Sequence, residues 1–259
     1  MTEIYIPTRE DRLRLRNIPN KFKVSGDNVF ATLQGEGITS GKPAVFFRLQ
    51  LCNLACGFEG GWKCDTGYTW DKTTAEFWQE PVDWDYNYAT AQIESAWNER
   101  FGDLEDRRLV ITGGEPLIQQ RKIAQLLEKI PRWAVEIETN GTINPIPELD
   151  DCQFNCSPKL ANSGNSKSKR YKPEVLRHIN ELPKSQFKFV VVDPSDIEEV
   201  QAIVDECDLN PAKILIMPEG QTADAVNYHA NLVADAVANK GWQITMRNQL
   251  VWFGPKRRT

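Results

Sequence analysis

The chain has 259 residues, 41% of them hydrophobic, enough to bury a sizeable core and a length ordinary for a single α/β barrel domain. Its net charge of −5 gives no general pull toward nucleic acid or an anionic membrane, and no run approaches the ~18 apolar residues of a transmembrane helix. Six cysteines, with no basic-then-apolar leader ahead of them, are expected as reduced thiols in the cytoplasm, which sets aside a disulfide framework.

Residues 1–25 are charged and without clean periodicity, and read as an N-terminal extension before a single domain over 26–259. The mixed charges of residues 9–16 suit a solvated helix face, and the basic tail at 255–258 a solubilising end with no call for nucleic acid. Residues 28–33 suggest a short strand entering a turn at Gly35 and Gly37. The run AVFFRLQL, 44–51, is rich in branched and aromatic residues and reads as the first central strand. Residues 57–63 lie as an insertion between two cysteines, and the stretch from Trp70 to Asn87 is poorly patterned. A helix is expected over 88–101, with Ile93, Trp97 and Phe101 four apart on one face.

From there the pattern alternates. Strands are expected at 108–112, 133–138, 152–156, 187–192, 214–217 and 242–245. Helices are expected at 117–130, 173–180, 195–206 and 222–239, the third with Ser195 as N-cap and Glu198 completing a capping box. Residues 162–169, NSGNSKSK, read as a polar loop, the least ordered stretch by composition. Repeated β–α units predict a parallel sheet, here an incomplete β/α barrel.

In such a barrel the active site gathers where strands end. LQGEG (33–37), CNLAC (52–56), TGGEP (112–116), ETNGT (138–142) and SPK (157–159) each follow a predicted strand. Cys52, Cys56 and Cys64 fall within thirteen residues. Thiolates hold iron–sulfur clusters, and three ligands leave one iron of a cubane open to a substrate or cofactor. A zinc site or three buried thiols remain open on the cysteines alone. Structural zinc usually takes four ligands, and Cys152, Cys156, Cys207, His178 and His229 do not obviously complete such a set. Glu136 and Glu138 should share a strand face, and Arg48 could serve as a buried ion-pair partner.

These motifs together resemble the radical S-adenosylmethionine superfamily and, within it, the 7-carboxy-7-deazaguanine synthase family. The residues that carry the resemblance are LQGEG, the spacing of Arg48 and Cys52, the CDT of 64–66, TGGEP, ETNGT and SPK. The resemblance implies an incomplete β/α barrel of the superfamily's type. It implies a 4Fe-4S cluster on Cys52, Cys56 and Cys64, with the open iron chelating S-adenosylmethionine. Gly113, Gly114 and Glu115 would receive the amino group of that cofactor. Glu138, Thr139, Asn140, Ser157 and Lys159 would meet its ribose and carboxylate, and Trp62, beside Cys64, is the aromatic placed to touch it. Leu33, Gln34, Gly35, Glu36, Arg48 and Thr112 would contact substrate, and Thr66 would bind Mg2+.

The implied reaction converts 6-carboxy-5,6,7,8-tetrahydropterin to 7-carboxy-7-deazaguanine with loss of ammonia, as in queuosine-type 7-deazapurine biosynthesis. The implied partners are a flavodoxin- or ferredoxin-type reductant and a second copy of the chain in a homodimer. The side-chain chemistry agrees: a guanidinium pairs bidentately with a carboxylate, a glycine pair exposes backbone to a bulky ligand, and Mg2+ takes oxygen ligands. Three features depart from the family pattern. Seven residues separate Cys56 from Cys64, the usual Gln-Pro is absent near Met217 and Pro218, and the chain continues past the last strand as RNQLVWFGPKRRT. Two rival readings are another radical enzyme of the superfamily, such as a glycyl-radical activase, and a zinc-stabilised nucleic-acid-binding module.

Overall fold

The computed structural model describes residues 4–258; residues 1–3, part of the expected extension, and 259 lie outside the described residues. Thr8 caps a short helix, α1 (Arg9–Arg14). Its hydroxyl accepts from the Asp11 N–H, while the Asp11 carboxylate accepts from the Thr8 N–H, a reciprocal capping box. β1 (Lys21–Leu33) then runs for thirteen residues, well beyond the short strand expected at 28–33. Phe22 and Val24 are fully buried. Residues 21–25 therefore belong to the sheet and not to an extension. The alternation Lys21, Phe22, Lys23, Val24 is a half-buried strand pattern, hidden in a segment dominated by charge.

β2 (Pro43–Leu49) pairs antiparallel with β1. The unpatterned stretch after Trp70 folds as α2 (Ala75–Gln79), capped by the Thr74 hydroxyl, and an edge strand β3 (Val82–Asp85). Asp85 caps α3 (Tyr86–Phe101). Aromatic packing organises this region: Trp84 stacks on Phe47 with ring centroids 6.0 Å apart and meets Tyr88 edge-on at 5.0 Å.

Strand and helix then alternate as expected: β4 (Arg108–Gly113), α4 (Gln120–Leu127), β5 (Ala134–Thr139), β6 (Gln153–Cys156), α5 (Lys167–Arg170), α6 (Pro173–Glu181), β7 (Ser185–Val191), α7 (Pro194–Cys207), β8 (Ile214–Pro218), α8 (Ala223–Lys240), β9 (Gln243–Ile244) and α9 (Asn248–Phe253). α4 is shorter than expected because Pro116–Gln119 winds as a 3-10 turn in which the Glu115 carboxylate accepts from the Leu117 N–H. α7 is capped by Asp193, not Ser195. Pro194 fills the first helical position and Asp193 and Asp196 form the capping box. The loop expected at 162–169 packs over residues 162–165, and residues 166–169 are exposed and run into α5.

The strand order is β3-β1-β2-β4-β5-β6-β7-β8-β9. From β2 to β9 every neighbouring pair in this order is parallel, and β1 is antiparallel to both of its partners. Among the described residues the edge strands β3 and β9 do not meet, so the barrel is incomplete. Alternation along β7 shows how the fold separates packing from chemistry. Phe187, Phe189 and Val191 are fully buried in the hydrophobic core with Ile197 and Val200 of α7, each aromatic contributing roughly 1.5–3 kcal/mol. Lys188 and Val190 face the opposite way, into the concavity.

Candidate active site

The concave side of the sheet opens into a cavity of about 510 Å³. Its wall carries Cys52, Cys56, Trp62, Cys64 and Thr66 from the loop after β2, and Thr112, Gly113 and Gly114 from the end of β4. Glu138, Thr139 and Asn140 come from β5 and Ser157 and Lys159 from beyond β6, while Leu33, Gln34, Gly35, Glu36 and Arg48 complete it. Residues from six segments of the sequence thus meet around one space. Glu115 alone of the expected site residues is absent from the wall.

The cysteines occupy the rim. All three are free thiols. Burial pushes the Cys52 thiol up to about 12, and burial also raises Cys56, partly offset by the nearby Lys159 ammonium. A sulfur in that setting is poorly suited to stand alone as a thiolate, and a cationic iron is the kind of partner that makes it one. Among the described residues no three His, Cys, Asp or Glu side chains stand close enough to hold one metal ion. Three thiols along one wall of a roomy cavity fit a larger, multi-iron body. Thr66 lies beside them, its hydroxyl 3.5 Å from the Cys64 sulfur and donating to the Gly113 carbonyl at 3.4 Å.

The opposite end of the cavity is closed in a way the motif order concealed. β1 is antiparallel to β2, and Leu33 pairs with Pro43 at the start of β2. LQGEG therefore leaves the sheet at the end away from the cysteines and crosses its concave face. Gln34 donates to Glu136 and Glu138, each at 3.4 Å, the Ile38 N–H donates to Gln186, and the Gly37 N–H donates to Thr245 at 2.8 Å. The segment spans the open side of the barrel from β1 to the strand furthest from it, forming a floor.

Above that floor lies a chain of charges. Arg108 donates to Glu136 at 2.6 Å, and Asn155 bridges Glu136 and Glu138 at 2.9 Å to each. Lys188 stands between Glu36, at 2.5 Å, and Glu138, at 3.2 Å. Arg247 and Gln249, from the segment after β9, also donate to Glu36, at 3.3 and 2.8 Å. Burial would raise Glu36, but Lys188 and Arg247 hold its carboxyl down at about 2. Burial raises Glu138 despite Lys188. Burial would lower Lys188, yet Glu138 and Glu36 keep it well above the usual lysine range. Neither Glu136 nor Glu138 is a solvated strand residue.

Arg48 behaves differently from the other cations. Its guanidinium lies 5.6 Å from the Phe30 ring centroid, and its buried Nε has no hydrogen-bond partner among the described residues. The buried ion pair that its strand position allowed is not present among them. A buried, unpaired guanidinium Nε on a residue of the cavity wall suits the binding of an anion.

Glu115 is fully buried just behind the wall, close enough for its charge to act on Cys52. Its carboxylate accepts from the Leu117 and Asn140 N–H groups at 3.0 and 2.7 Å and from the Thr139 hydroxyl at 2.9 Å. Through these bonds it ties the end of β4 to the end of β5. Gly113 and Gly114 stay on the wall. A side chain on Gly113 (φ +138°) would put its Cβ 1.9 Å from the Leu49 carbonyl, and one on Gly114 would sit 2.1 Å from that of Leu51. Gly113→Ala should cost about 1–3 kcal/mol through this clash and the positive φ, read as a lowered melting temperature; an unchanged melt would contradict the close packing of β4 on β2.

Lys188, Arg247 and Gln249 escaped sequence reasoning. Lys188 left a trace, a lone charge in the run FKFVVV where every neighbour is apolar. Arg247 and Gln249 left none, because the tail has no periodicity and its partner Glu36 lies more than 200 residues away.

A curated 7-carboxy-7-deazaguanine synthase of Pyrobaculum aerophilum is 34% identical to the chain over 234 residues, covering 88% of this chain and 94% of the relative. This chain belongs to the 7-carboxy-7-deazaguanine synthase family. Family members from Halobacterium salinarum and Escherichia coli are each 28% identical, covering 85% of this chain and 87% and 94% of the relatives. The crystal structure of QueE from Escherichia coli matches with a TM-score of 0.63 at 24% identity, covering 93% of this chain and 99% of that one, a likeness in fold. No protein-family model matches the chain. The chain is therefore an enzyme of this lyase family, linked to queuosine biosynthesis, and neither the activase nor the zinc-module reading is favoured. Among the described residues no helix is long and apolar enough to cross a membrane.

Proposed function

We propose that the chain is a radical S-adenosylmethionine enzyme that converts 6-carboxy-5,6,7,8-tetrahydropterin to 7-carboxy-7-deazaguanine with loss of ammonia. The observation that carries this reading is the pairing of three free cysteines with Arg48, whose buried Nε has no partner among the described residues, on the wall of a single cavity. Cys52, Cys56 and Cys64 would hold a 4Fe-4S cluster, which when bound supplies one electron to S-adenosylmethionine and so a 5′-deoxyadenosyl radical.

The chain's own residues bind and orient. Ser157, Lys159, Thr139, Asn140 and the glycine backbone at 113–114 serve S-adenosylmethionine. Arg48 takes the pterin carboxylate in its fork, and Gln34, with Glu36 held ionised by Lys188, pairs the amide and amino edge of the ring. The floor formed by LQGEG keeps water from the reacting centre. Thr66 would offer a hydroxyl oxygen to Mg2+, which takes oxygen ligands. Held this way, one substrate C–H faces the cofactor, the proximity contribution.

We also infer one domain built on a single sheet, a homodimer, a cytoplasmic site of action and a flavodoxin- or ferredoxin-type electron donor. The test is anaerobic turnover with a one-electron reductant. Formation of 7-carboxy-7-deazaguanine that depends on S-adenosylmethionine is the expected result, and none with reconstituted protein would sink the proposal.

A further inference from the structure

The residues between Cys56 and Cys64 are docked on the 161–165 turn through backbone contacts that leave little slack. The Gly57 N–H donates to the Ser163 carbonyl at 3.0 Å, and the Trp62 N–H to that of Asn162 at 3.1 Å. A Cβ on Gly61 (φ +82°) would lie 2.1 Å from the Asn162 oxygen, and one on Gly164 (φ +76°) 2.2 Å from the Gly60 oxygen. Both glycines are therefore needed for the two strands of backbone to touch. Asn162 secures the contact: its Oδ1 accepts from the Trp62 indole N–H at 2.9 Å, while its amide donates to Asp196 and to the Val190 carbonyl. The turn is thereby pinned to β7 and α7.

Asn165, in the same turn, reaches the cysteine itself. Its Oδ1 accepts from the Ala55 N–H at 3.0 Å, and its amide Nδ2 donates to the Cys56 sulfur at 3.3 Å. We propose that Asn165 is a positioning residue of the cluster: it anchors the ligand loop beside Cys56 and, through an N–H···S hydrogen bond, raises the reduction potential of the bound group. The inference rests on the cluster reading above. A hydrogen bond to a ligand sulfur stabilises the reduced, more negative state more than the oxidised one, and such bonds are among the protein's main controls on cluster potential. The turn is thus a clasp that holds the long insertion in place and sets how readily the group accepts its electron.

The test uses the reconstituted full chain, oxygen-free, titrated with dithionite while the reduced cluster is followed by electron paramagnetic resonance. Asn165→Asp keeps an oxygen for the Ala55 N–H but removes the amide donor; Asn165→Leu removes both. With iron content and melting temperature matching the wild type, both should show a lower midpoint potential. The expected shift is equivalent to about tenfold less reduced cluster at a fixed poise, ~59 mV for one electron. Should the leucine variant fail to load, the neutral Asn165→Ala carries the comparison, because an aspartate anion beside Cys56 lowers the potential by its charge alone. Unchanged potentials in loaded variants overturn the role of Asn165 and leave the cluster reading intact. A wild-type chain that takes up no iron overturns the cluster reading itself, before any variant is measured.

Discussion

Lys188→Met should abolish turnover and lower stability by about 3–5 kcal/mol, the cost of leaving buried charges without their partner. Lys188 is 4% exposed and is bonded to two carboxylates on different sides of the cavity. Methionine fills similar space but leaves Glu36 and Glu138 facing each other, and among the described residues the surviving partners of Glu36, Arg247 and Gln249, make no bond to Glu138. The sign of the pH effect follows from Glu36. Its carboxyl is lowered from 4.5 to about 2, so its contribution to stability is complete above about pH 4.5 and lost as pH falls toward 2. Removing Lys188 raises the Glu36 carboxyl, so the loss on acidification shrinks, and where burial carries it above 4.5 the sign reverses and the variant gains stability as pH falls. Thermal melts between pH 4 and 8 on wild type, Lys188→Met and Lys188→Arg read this out, with arginine restoring part of the stability. A methionine variant that melts and turns over like the wild type would remove Lys188 from the account.

Arg48→Met should lower kcat/KM for the carboxylated pterin by about 100-fold, on the order of 2.7 kcal/mol, within the range for a hydrogen-bonded charge. Among the described residues Arg48 has no carboxylate partner: its Nε is unsatisfied and its guanidinium rests on Phe30. The loss should fall mainly on KM, because the carboxylate is bound in ground state and transition state alike. Arg48→Lys should recover only part of it, since an ammonium is a point charge without the planar fork. S-adenosylmethionine affinity, measured by calorimetry on the same variant, should be unchanged. An equal loss for a pterin lacking the 6-carboxylate would show that Arg48 acts on something else.

How much of this was legible beforehand depended on whether the signal was local. The β/α alternation from Arg108 onward was readable because each element carries its own period and the loops between are short. The cysteine trio, the glycine pair and the ETNGT and SPK segments were readable because each sits just after a strand. Two things were not. The strand at Lys21–Val24 has the right alternation, but it lies within a charged segment and is stabilised by pairing with β3, sixty residues on. The floor made by LQGEG depends on β1 running antiparallel, a fact of sheet topology that no single segment encodes. The bonds that Glu115 accepts from the Leu117 and Asn140 N–H groups were hidden for a related reason: they join β4 to β5 across the sheet. The polar loop at 162–169 was misread because composition reports solvent affinity, whereas Asn162, Gly164 and Asn165 are spent on contacts with the cysteine loop.

The central claim is that Cys52, Cys56 and Cys64 hold a cluster with one iron open to S-adenosylmethionine. It is tested most directly by iron and sulfide content together with electron paramagnetic resonance of reduced, oxygen-free protein, before and after that cofactor is added. The account predicts about four irons per chain, a reduced-cluster signal that changes when S-adenosylmethionine binds, and loss of that signal when any of the three cysteines becomes alanine. A chain that binds no iron, or a cluster whose signal is indifferent to the cofactor, would contradict it.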